Sequence, residues 1–142
     1  MPLTSFGSIL TFAEEFEIQD MAFYSDAVNN PECAGIKSLV EPFIKECKKL
    51  IIIIQRTRRE NVTEMILEPI QDFVRAPFLI KEKDARGMSE AEVLETIKTI
   101  EQRSVDYYST ASKKMKSLPE VANALKLLAK KHTARLKKVN DI

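Results

Sequence analysis

A chain of 142 residues with 44% hydrophobic and 30% charged side chains has the size and composition of one soluble domain, residues 1–142, built on one sizeable core. Three glycines and no tryptophan fit poorly with an all-β chain of many tight turns. The net charge of +1 hides six acids and no Lys or Arg in residues 1–32, against nine bases and two acids in residues 110–142, a pattern expected of two ends that pack on each other.

Four helices are legible in chain order. The first is expected near 5–29, with a stripe of Leu10, Ala13, Glu17, Met21, Tyr24 and Val28 in which only Glu17 is charged. Asn30-Pro31 marks a break and restart. The second helix is expected over 33–60, with Pro42 kinking it or marking its true start. Its stripe is Leu39, Phe43, Glu46, Leu50 and Ile53. The "LIIII" run at 50–54 fits the helical period better than a strand and is far too short to span a bilayer. Residues 61–88 hold two prolines and no clean period, and read as a long crossover with some helix. Ser89-Glu90-Ala91-Glu92 is a capping box opening a third helix over 89–116, striped by Leu94, Ile97, Glu101, Val105, Tyr108 and Met115. Ser117-Leu118-Pro119-Glu120 predicts a second box and a fourth helix over 118–139, where Leu125, Leu128, Leu136 and Val139 flank the single histidine, His132.

Cys33 and Cys47 form no Cys-x-x-Cys and no disulfide framework, so buried free thiols in a reducing compartment are expected. The N-terminus lacks the basic start and small-residue site of a signal peptide, and a cytoplasmic protein without membrane contact is expected. A single histidine forecloses most catalytic triads, and no Gly-rich phosphate loop occurs. The basic clusters "IQRTRREN" (54–61) and "KKHTARLKK" (130–138) have no interleaved aromatics, and read as solvated helix faces rather than a nucleic-acid surface.

Each stripe thus carries one ionisable group at its middle: Glu17, Glu46, Glu101 and His132. A single Glu in such a place ordinarily snorkels to solvent. Four in register point instead to a common centre. Ionised carboxylates taken into a core cost several kcal/mol unless paired, so a positive charge or retained protons must be present there. A repetition supports this reading. "FEIQDMAFYSDA" (16–27) and "IEQRSVDYYSTA" (100–111) share their Glu, an aromatic followed by Tyr-Ser, and the final Ala.

The segment "FAEEFEIQDMAFYSDA" resembles the first helix of the rubrerythrin-like branch of the ferritin-like superfamily. There a Glu is followed seven residues later by Tyr, and the pair recurs on the third helix. The resemblance implies an all-α, ferritin-like four-helix bundle of two hairpins joined by a long crossover. It also implies a di-iron site of one Glu from each of two helices and a Glu-x-x-His from each of the others. Glu17 and Glu101 match the single glutamates, with Tyr24 and Tyr108 behind them. In "KECKKL" Glu46 is kept and Lys49 replaces the His; in "LAKKHTARL" His132 is kept and Ala129 replaces the Glu. The separations agree, 29 residues from Glu17 to Glu46 and 28 from Glu101 to Ala129.

The family implies an oxidoreductase acting on peroxide or dioxygen, with an external electron donor because no rubredoxin-like Cys pair is present, and homodimerisation through helix faces. The residues leave two outcomes open. Glu46, Glu101 and His132 could hold one metal, iron with Mn or Zn equally admissible, beside a Glu17–Lys49 ion pair in which the ammonium stands in for a cation. The alternative is a metal-free polar cluster inside a structural or partner-binding bundle.

Overall fold

The computed structural model describes residues 6–61, 73, 76–80 and 84–142. Four long α-helices dominate them, with no strand among the described residues: α1 Phe6–Val28, α2 Lys37–Glu60, α3 Glu90–Lys114 and α4 Pro119–Asn140. The chain is all-α, as its periodicity predicts. Most of the expected crossover at 61–88 lies outside the described residues.

Helix α1 packs chiefly on α2, and α3 on α4, giving two hairpins with short connections. Arg58 near the end of α2 reaches Thr11 and Glu14 near the start of α1, so that pair is antiparallel. In the second pair Ser112 donates to the Ala122 carbonyl at 2.9 Å. The acid-rich first helix does find its bases elsewhere in the chain: Arg58 on α2, Arg103 on α3 and His132 on α4.

Between α1 and α2 the chain makes a 3-10 turn over Pro31–Ile36. Cys33 within it has non-helical angles, so the regular helix begins at Lys37 rather than 33. Buried Asn30 organises this corner. Its side-chain oxygen accepts from the Glu32 N–H, and its Nδ2 donates at 2.8 Å to the carbonyls of Ala85 and Met88, fastening the corner to the approach of α3. Helix α2 runs through Pro42 in its second turn. The proline removes the bond to the Ser38 carbonyl.

The capping box of α3 forms as expected, Ser89 accepting from the Glu92 N–H and Glu92 from the Ser89 N–H. That of α4 does not. Leu118, not Ser117, is the residue flanking the helix, so the Ser117 hydroxyl stands one place too early, and Pro119 opens the helix without a side-chain cap.

The core has two apolar parts. One gathers Phe12 and Phe16 of α1 around Tyr107, with Leu125 and Leu128 of α4; the other gathers Phe23, Val40, Phe43, Val93 and Ile97. The polar cluster described next draws on residues of all four helices. Cys33 and Cys47 are buried free thiols. No described helix is long and apolar enough to cross a membrane.

A buried ion-pair cluster as candidate functional site

Glu17, Glu101 and His132 have no exposure to solvent, and His132 touches both carboxylates. The imidazole lies between the carboxylates: Nδ1 is 2.5 Å from Glu101 Oε2, and Nε2 is 2.9 Å from Glu17 Oε2. The tyrosines seven residues beyond each Glu cross over. Tyr24 on α1 donates to Glu101 on α3, and Tyr108 on α3 donates to Glu17 on α1, the latter at 2.8 Å. The repeated phrase thus builds a reciprocal pair of Glu–Tyr hydrogen bonds between two helices. The Tyr108 ring also stacks on His132, with centroids 5.3 Å apart.

Glu46 belongs to the same cluster only through an intermediary. Its Oε1 accepts from Arg135 Nε at 2.7 Å, and Arg135 Nη1 donates to Glu101 Oε1 at 3.3 Å. Arg135 is the largest fully buried side chain among the described residues, with its Nη1 3.5 Å from Cys47 Sγ and its guanidinium over the Phe43 ring. A second buried pair lies alongside. Arg103 Nη2 donates to Asp20 Oδ1 at 2.7 Å while the guanidinium covers Phe16 at 3.9 Å.

Lys49, expected to bring the positive charge, is exposed on α2 and touches none of these groups. It stands 60° round the helix from Glu46 by the ~3.6-residue period, which turns it out of the stripe. The cation comes from Arg135 instead. Accordingly Lys49→Ala should leave the unfolding midpoint within about 0.5 kcal/mol of wild type in urea denaturation. A loss of several kcal/mol would return the role to Lys49.

The charges fix one another's protonation. Burial alone would strip His132 of its proton, but the Glu17 and Glu101 carboxylates on its two nitrogens outweigh that and lift it to about 10. Burial pushes Glu101 upward, yet His132, then Arg135 and the Tyr24 hydroxyl, hold it down at about 2. Glu17 is lowered in the same way, its own burial being overcome chiefly by His132. Asp20 behaves oppositely: burial, reinforced by Glu17 and Glu101, outweighs Arg103 and raises it to about 7. With His132 protonated, three buried acids (Glu17, Asp20, Glu101), of which Asp20 is about half ionised near neutral pH, face three buried basic groups (Arg103, His132, Arg135), and Glu46 sits part-exposed at the rim. The counter-charges come from the chain's own groups.

The donor set fits a di-iron centre poorly. Such a centre takes four carboxylates and two imidazoles. Here Ala129, part-buried against the core, offers no ligand, Lys49 faces away, and a guanidinium holds Glu46 and Glu101 together. One smaller grouping has ligand atoms within 4.8 Å of each other: Glu17, Asp20 and His132. Glu17 Oε1 and Asp20 Oδ2 are buried there without a hydrogen-bond partner, as is Arg135 Nη2.

Three positions of the buried cluster escape the sequence stripes: Asp20, Arg103 and Arg135. Arg135 follows His132 by three residues and Leu136 by four, and the apolar pattern favours Leu136, which is only half-buried. A usable signal was present in α3, where Arg103 is the sole base between Lys98 and Lys113. Searches against family models, curated proteins and solved structures give no match to this chain.

Proposed function

We propose that this chain is a ferritin-like bundle of the rubrerythrin-like kind in which a guanidinium and an imidazolium take the place of a di-iron centre, and that it serves as a structural or partner-binding bundle rather than an oxidoreductase. The observation that carries this reading is Arg135 bonded to both Glu46 and Glu101, two of the positions that the family resemblance assigns to metal. A permanently charged donor with no acceptor atom cannot ligate, and it repels a cation from the carboxylates it holds. The reciprocal Glu–Tyr pairs support the ferritin-like part of the proposal, since they give the duplicated helices equivalent roles.

Metal analysis of protein purified without added metal tests the reading. The expected result is well under one equivalent of iron, manganese or zinc, an unfolding midpoint indifferent to chelator, and no peroxide reduction with an artificial donor. Two equivalents of tightly held metal, or peroxidase turnover, would overturn it. The orphaned oxygens of Glu17 and Asp20 favour one second reading, a single divalent cation on Glu17, Asp20 and His132, with Glu101 orienting the imidazole from behind. One equivalent of metal, lost in Asp20→Asn, would identify that case.

A further inference from the structure

The helices α2 and α4 leave between them a groove of about 370 Å³, within the range of small-molecule sites. Pro42 and Ile53 supply apolar surface, with the buried core residue Leu50 behind them. Lys45 and Lys49, one helical turn apart on α2, and Lys131 on α4 supply charge. All three lysines are exposed, and among the described residues none has a carboxylate within ion-pair distance. The one acid in the groove, Glu46, is committed to Arg135. Like charges one turn apart repel, and a third faces them from the neighbouring helix, so the empty groove is electrostatically unfavourable in a way that an anion would relieve. Its half-enclosed shape and apolar lining suit a small molecule better than a nucleic-acid backbone, which would ask for an open basic face.

We infer that this groove binds a small amphipathic anion, an oxyanion head (carboxylate or phosphate) held by Lys45, Lys49 and Lys131 with an apolar body laid over Pro42 and Ile53. The groove meets the buried cluster only at Glu46, and the proposal, which rests on the three lysines, stands whether or not that cluster is metal-free.

Backbone-amide NMR titrations of the full chain with octanoate, octyl phosphate, octanol, octylammonium and acetate test it. Octanoate or octyl phosphate should shift amides of residues 43–53 and 131 saturably, and the stronger of the two identifies the head group. Octanol, octylammonium and acetate, each lacking one half of the chemistry, should bind at least about tenfold more weakly. Combining Lys45→Gln, Lys49→Gln and Lys131→Gln should weaken the anion about tenfold or more without lowering the unfolding midpoint, and Lys49→Gln alone should act in the same direction. Equal binding of octanol, undiminished affinity in the triple variant, or shifts confined to other residues would overturn the inference.

Discussion

Replacing Arg135 by Met is expected to destabilise the protein by roughly 3–5 kcal/mol, the range found when one partner of a buried ion pair is removed. The variant leaves Glu101 facing only Tyr24 and His132, and leaves Glu46 with no partner at the rim. Arg135→Lys should recover only part of the loss. An ammonium keeps the charge but cannot span Glu46 and Glu101 with a planar fork, nor lie flat over Phe43. Adding Glu101→Gln to Arg135→Met should cost less than the two single losses summed, because the second change removes the charge that the first stranded. The informative arm is metal. Once the guanidinium is gone, Glu46, Glu101, Glu17 and His132 are free to converge on a divalent cation, so manganese or zinc should stabilise Arg135→Met and leave wild type unmoved. Urea unfolding of each variant, with and without metal, reads all of this. Equal metal stabilisation of wild type would defeat the view that Arg135 replaces a cation, and so would a midpoint for Arg135→Met within error of wild type.

The helices were legible because the apolar period and the breaks are local signals. Ser89 with Glu92 and Asn30 with Pro31 declare helix boundaries within a few residues, and the structure follows them. The box at Ser117 misleads for a physical reason: the pattern S-x-x-E is also satisfied when the helix starts one residue late, and Pro119 permits that start. At the candidate site, the convergence of Glu17, Glu101 and His132 was readable because each is alone on an apolar face, and the duplicated phrase reinforced it for the two glutamates. The identity of the counter-charge was not. Lys49 and Arg135 both stand three residues beyond a stripe residue, and a period of ~3.6 places each about 60° off it. Arg135 is drawn inward by Glu46 and Glu101 together, whereas no acid draws Lys49. That difference depends on which helices are neighbours, which no single helix records.

Raising the pH from about 5 to 10 is expected to lower the stability of this protein continuously, placing its maximum near pH 4–5, below the usual range. The sign follows from each group in turn. His132 ordinarily titrates at 6.5 and here at about 10, so between those values the folded state holds a proton that the unfolded chain has lost. Its contribution is complete below 6.5 and disappears as the pH passes 10. Asp20, raised from 3.8 to about 7, adds to the fall at the lower end, because the unfolded chain ionises first. Glu101, lowered from 4.5 to about 2, works the other way: its contribution is present above 4.5 and is lost as the pH drops toward 2, and Glu17, also lowered, acts in the same direction. Burial raises the phenols of Tyr24 and Tyr108, which steepens the loss only above pH 10. The His132 limb alone is on the order of a few kcal/mol, at 1.36 kcal/mol for each pKa unit. Urea unfolding across the pH range measures the limb, and His132→Gln should flatten it between 6.5 and 10. NMR of the ring nitrogens gives an independent reading, with both N–H protons retained past pH 8. A cation on Glu17, Asp20 and His132 predicts the reverse slope, because the ring must shed a proton to ligate and its binding strengthens as the pH rises. Stability that climbs from pH 6 to 8, with a neutral His132 ring, would therefore replace the ion-pair cluster with a metal site.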